Sequence, residues 1–175
     1  MCATDLVFTS KLVDEAARLI EQLRQSKSTI ATAESCTGGL LSGVLTEVSG
    51  ASDVFNFGFV TYSNPAKTDL LGVPAGLLEC YGAVSREVAV AMAEGARTHS
   101  ASTLAIAITG VAGPGGGSEA KPVGLVYIGV AIAGQPTAAH ELRLGNIGRA
   151  PIRLKTIETA LQLAQMACRA QRASQ

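Results

Sequence analysis

Apolar residues recur along the chain with two different periods, and these divide it into alternating helices and strands. Over residues 10–25, Leu12, Val13, Ala16, Leu19, Ile20 and Leu23 fall on one helical face, with Ser10 placed to cap it. Residues 29–33 are short, apolar and β-branched, and residues 103–109 repeat that character, so both read as buried strands. Leu40, Leu41, Val44, Leu45 and Val48 return to helical spacing, and residues 49–52 signal a loop. Residues 55–62 alternate as a strand does, and Ser63-Asn-Pro65 then opens a helix with Lys67 in its first turn. Gly72-Val-Pro74 breaks that helix, and a short one is expected over residues 75–80. Ser85 caps a longer helix to about Ala96, with Val88, Val90, Ala91, Met92 and Ala96 facing inward. Residues 124–132 and 137–144 read as a hairpin about Gly134-Gln-Pro136, which makes the sheet mixed. A last helix starts near Gly148-Arg149 and runs past Ala160, Leu161, Ala164 and Met166. With no repeat and no linker, the pattern predicts one α/β domain over residues 1–175.

Composition adds one constraint to this picture. The chain is 47% hydrophobic but only 4% aromatic, with no Trp, so the core must be aliphatic and rich in Ala. Fourteen basic residues balance 14 acidic ones with no Lys/Arg run, which argues against nucleic acid and against an anionic membrane surface. No apolar run approaches the roughly 18 residues of a transmembrane helix. The first residues, Met-Cys-Ala-Thr-Asp-Leu, lack the basic n-region of a secretory signal, and a cytoplasmic location is expected. Cys2, Cys36, Cys80 and Cys168 form no CxxC pair, and His99 and His140 lie near none of them in sequence. Free thiols are expected, with neither a zinc site nor a disulfide framework.

The candidate chemistry begins where the first strand meets the second helix. Glu34, Ser35, Cys36, Thr37, Gly38 and Gly39 put three potential nucleophiles on a tight turn. Helix-start N–H groups are unpaired and carry partial positive charge, so Thr37 and Gly38 are expected substrate contacts that could hold an anion or an oxyanion. On this stretch alone, capping of the helix by Ser35 or Thr37 is the favoured reading. A chain without a suitably placed His needs another base; Lys67 on its own reads as an ordinary exposed lysine, and it can serve beside Ser35 if burial depresses its pKa. Cys36 competes with Ser35 as nucleophile, or packs as a small apolar residue. The glycines at 110, 113, 115, 116 and 117 match neither a Walker A motif nor a G-x-G-x-x-G fingerprint. They leave a bare backbone that a ligand can approach. Arg149 and Arg153 are open to phosphate binding or to plain surface exposure.

Five blocks in order and spacing resemble the C-terminal domain of the competence/damage-inducible protein CinA. They are Ala33-Glu-Ser-Cys-Thr-Gly-Gly39, Thr61-Tyr-Ser-Asn-Pro-Ala-Lys67, Gly82-Ala-Val-Ser85, Thr109-Gly-Val-Ala-Gly-Pro-Gly-Gly-Gly117 and Lys121-Pro-Val-Gly124. The resemblance implies a three-layer α/β/α fold and, as in the stand-alone form of that domain, metal-free hydrolysis of the nicotinamide amide of a mononucleotide, with no cofactor. By position it puts the nucleophile on Ser35, the lysine on Lys67 and a site tyrosine on Tyr62. Thr109, Gly110, Ala112 and Gly113 fall on ligand-binding backbone, and Arg149 is retained beside them. The family's Gly-Asp-Arg before the last helix is replaced by Asn146-Ile-Gly-Arg149, a departure that leaves Arg149 in place and puts any role for an aspartate there in doubt. The expected partners are a small-molecule nucleotide and further copies of the chain. The alternative is a non-catalytic nucleotide-binding or regulatory module, for which Ser35 and Lys67 need not touch.

Overall fold

The computed structural model describes residues 8–173. Its elements in chain order are α1 (Ser10–Gln25), β1 (Ile30–Glu34), α2 (Leu40–Thr46), β2 (Phe55–Val60), α3 (Asn64–Leu71) and α4 (Ala75–Tyr81). There follow α5 (Arg86–Ser100), β3 (Leu104–Gly110), β4 (Leu125–Ile132), β5 (Ala138–Arg143) and α6 (Arg149–Ala173). The five strands form one sheet in the order β2-β1-β3-β4-β5. β1 pairs in parallel with β2 and β3, whereas β3–β4 and β4–β5 are antiparallel. The sheet is mixed, as the hairpin pattern predicts, and helices cover both faces.

Strict alternation in the central strands decides what packs on each face. Ile30, Leu104, Ile106 and Ile108 point toward α1, α2 and α6, where they join Leu19, Leu23, Val44, Leu45 and Leu161 in the larger core. Ala31, Ala33, Ala105 and Ala107 point the other way, toward Val88, Met92, Ala93 and Ala96 of α5. Alanine on that face lets α5 lie close to the sheet. At Gly129 of β4 the approach is closer still, since a Cβ there would stand 2.2 Å from the Ala89 carbonyl oxygen.

Some boundaries and faces differ from the sequence expectation. Thr9, not Ser10, caps α1, accepting from the Leu12 N–H at 3.4 Å. α5 runs on to Ser100, and its buried face is Val88, Ala89, Met92, Ala93 and Ala96. Val90 and Ala91 are only half-buried, because a helix this rich in Ala leaves its apolar direction poorly marked. β2 forms, but as an edge strand whose Phe57 and Val60 stay 48% and 47% exposed. Met166 stands on the outer side of α6 at 62% exposure. No described helix is long and apolar enough to cross a membrane.

The topology brings the carboxyl ends of β2, β1 and β3 side by side, the place where open α/β sheets bind ligands. β5 runs parallel to β3, so the chain leaves it at that same end before entering α6.

The close contact of α5 with β4 makes a stability prediction. Gly129→Ala should destabilise the fold by about 1–3 kcal/mol, the usual cost of overpacking. Urea unfolding should give a lower midpoint with an unchanged slope, and an unmoved midpoint would contradict this packing.

Candidate active site

Each site segment is delivered by the end of one strand. β1 ends at Glu34, and Ser35 follows directly, its N–H donating to Ile108 O at 3.0 Å. β2 ends at Val60, and the Thr61 N–H donates to Glu34 O at 2.8 Å, which holds the two strand ends in register. The Ser63 hydroxyl then caps α3 by accepting from the Ala66 N–H at 3.2 Å. This cap turns Lys67 inward, where the whole residue is 1% exposed.

Lys67 Nζ lies 3.1 Å from Ser35 Oγ and donates to Thr61 O at 2.8 Å. No carboxylate pairs with it among the described residues. Burial therefore lowers its pKa below the ordinary 10.5, only partly opposed by the nearby Cys36 thiol.

Ser35 and Lys67 open onto a cavity of about 280 Å³. Tyr62, Thr109, Gly110, Ala112, Gly113 and Arg149 also line it, so most residues singled out by the resemblance come together. The Thr109 hydroxyl donates to Ala83 O at 2.7 Å, which fixes the end of β3 against the residues before α5. Gly113 has φ +75, and a Cβ there would also sit 2.7 Å from Val123, so only glycine fits this part of the loop. Arg149, at the start of α6, donates to Gly113 O and to Tyr62 OH, both at 2.8 Å. It thus bridges the glycine loop and the tyrosine across the site.

Residues 13–168 match the family model of the CinA C-terminal domain. The chain belongs to the CinA C-terminal domain family. It is 54% identical over 124 residues to a CinA-like protein of Desulfovibrio desulfuricans, covering 71% of this chain and 29% of that one. A CinA-like protein of Synechococcus is 51% identical over 153 residues, covering 86% of this chain and 36% of the relative. The chain thus spans about a third of the length of these curated relatives. Among solved structures, the competence/damage inducible protein CihA of Agrobacterium tumefaciens superposes with a TM-score of 0.89 at 47% identity, covering 93% of this chain and 98% of that one. A CinA superfamily protein of Escherichia coli gives 0.84 at 32% identity, with 92% and 94% covered.

Within this CinA domain, Thr37 and Gly38 do not line the cavity. The Gly38 N–H donates to Ser35 O at 3.0 Å, and the N–H groups that follow it at the helix start, those of Gly39, Leu41 and Ser42, donate to the Glu34 carboxylate. Among the described residues, the Thr37 N–H bonds to no carbonyl or side chain and the Cys36 N–H meets its own thiol but no carbonyl, and Cys36 lines the cavity. Capping by Ser35 or Thr37 does not occur either, since Gly39 is the N-cap residue of α2 and there is no side-chain cap bond. Arg153 donates to Thr37 O at 2.7 Å and ties α6 to the turn. Asn64 and Val84 line the cavity unforeseen, although both lie in blocks that carry the family resemblance. Burial pushes the Cys36 thiol up to about 11, so it stays protonated at neutral pH. Among the described residues no group of three or more His, Cys, Asp or Glu could hold a metal ion.

The lowered Lys67 pKa has a consequence for folding. The unfolded chain holds that proton up to the ordinary 10.5, whereas the folded chain releases it at lower pH. Between those two values the unfolded state binds more protons, so stability from this site rises with pH. Relative to Lys67→Met, the wild type should gain stability from neutral pH toward about 10, by at most about 1.4 kcal/mol per pH unit. Urea unfolding at stepped pH measures this, and a difference that stays flat would contradict a depressed lysine.

Proposed function

We propose that this domain is an amidohydrolase that removes the carboxamide nitrogen of nicotinamide mononucleotide as ammonia, leaving nicotinate mononucleotide. The observation that carries the reading is the contact of Ser35 Oγ with a buried, carboxylate-free Lys67 amine at 3.1 Å. A neutral amine there takes the hydroxyl proton as Ser35 Oγ attacks the carboxamide carbon. The resulting ammonium hands the proton to the departing nitrogen, the C–N bond breaks, and an acyl-serine remains. Water, deprotonated by the same amine, then releases the acid and regenerates Ser35. The Cys36 N–H, which donates to no carbonyl and borders the cavity, is a donor for the oxyanion. Family membership and the clustering of Tyr62, Thr109, Gly110, Gly113 and Arg149 around one cavity support a nucleotide substrate. Such a substrate also fits the cytoplasm.

The phosphate falls to Arg149 and the glycine loop, where a charge-assisted hydrogen bond contributes about 1.5–3 kcal/mol. Ammonia release from the mononucleotide should therefore exceed that from nicotinamide riboside by at least about tenfold in kcat/KM. Ser35→Ala should abolish both. Equal turnover of the two compounds would remove the phosphate role, and undiminished release by a folded Ser35→Ala would remove the nucleophile.

A further inference from the structure

Glu34 immediately precedes the reacting serine, and its side chain is fully buried at 0% exposure. Among the described residues no cation pairs with it. Its acceptor capacity is directed at the start of α2 instead. Oε2 accepts from the N–H of Gly39 at 3.1 Å and of Leu41 at 3.0 Å. Oε1 accepts from the N–H of Ser42 at 2.8 Å and from its hydroxyl at 2.7 Å. Since the Ser42 proton goes to the carboxylate, the Thr32 hydroxyl, 2.7 Å from Ser42 Oγ, donates in turn. A directed chain of bonds thus runs from the middle of β1, through α2, back to the last residue of β1. It closes the turn that carries Ser35 into a short loop clamped at both ends.

We propose that Glu34 is the positioning residue that holds the Ser35 hydroxyl within reach of Lys67. It acts through the turn and touches neither the amine nor the substrate. The proposal rests on the serine–lysine reading above. Its action is geometric, because its bonds run to Gly39, Leu41 and Ser42 while the Lys67 amine meets Ser35 Oγ and Thr61 O. A carboxylate is required since it accepts on both oxygens. A glutamine would turn its NH2 either onto the Gly39 and Leu41 N–H groups or onto the Ser42 N–H, opening the clamp on one side.

The test follows ammonia release from nicotinamide mononucleotide together with the rate at which an organophosphonate probe modifies Ser35. Glu34→Gln should lower kcat and the labelling rate together by at least about tenfold, with KM within about twofold and the acid limb of the pH profile unmoved. A folded Glu34→Gln with wild-type kcat and labelling overturns the proposal. A shifted acid limb overturns it too, by making Glu34 an electrostatic partner of Lys67. If Glu34→Gln does not fold, Ser42→Ala decides, because it removes one of the four bonds. It should fold and lose kcat about three- to tenfold at unchanged KM, and wild-type kcat there refutes the clamp. A wild-type chain that neither labels at Ser35 nor releases ammonia refutes the serine–lysine reading itself, and this proposal falls with it.

Discussion

An amine buried without a carboxylate is the constraint on which the rest of this structure depends. A lysine pulled out of water is stable only if it sheds its proton or finds acceptors, and among the described residues Lys67 has just Thr61 O and Ser35 Oγ. An ion pair at this position would hold the charge and remove the base. The surroundings avoid that. The nearby carboxylate, Glu34, is committed to backbone N–H groups of α2, and the neighbouring thiol is too weak an acid to serve as counter-ion. The same desolvation that weakens the fold at neutral pH is what prepares the amine to accept a proton.

The architecture places this pair by simple means. Three adjacent strands run parallel and end together, so Ser35, Thr61 and Thr109 meet although they lie far apart in the chain. Alanines on one face of β1 and β3 let α5 press close, which leaves the bulky aliphatic core to the opposite face. Two arginines one helical turn apart on α6 then divide the work. Arg153 holds the turn by the Thr37 carbonyl, and Arg149 spans from the glycine loop to Tyr62. The serine turn is therefore fixed from below by Glu34 and from the side by α6.

Much of this was legible in the sequence, and the exceptions have physical causes. The strands and helices stand out because apolar spacing switches cleanly between periods of two and 3.6. The α5 face was read around Val90 and Ala91 because alanines on several sides of a helix blur its direction. The edge position of β2 was invisible, since an exposed Phe57 and a buried one look alike in sequence. Ser35 and Lys67 are 32 residues apart, so no local spacing joins them, and the family motifs carried that link. Thr37 and Gly38 read as ligand-facing backbone because nothing in their order reveals that the Gly38 N–H turns back to Ser35 O and that both residues lie off the cavity. Arg153 resembled a surface residue because its partner is a carbonyl, which no motif records.

The central claim is that Ser35 carries the acyl group between the two halves of the reaction. Acid quenching during turnover of nicotinamide mononucleotide, followed by mass spectrometry of the proteolysed chain, tests it most directly. The account predicts a nicotinate-mononucleotide acyl adduct on the peptide bearing Ser35, absent from Ser35→Ala and released as a hydroxamate by hydroxylamine. An adduct on Cys36, or sustained turnover by Ser35→Ala without an adduct, would contradict it.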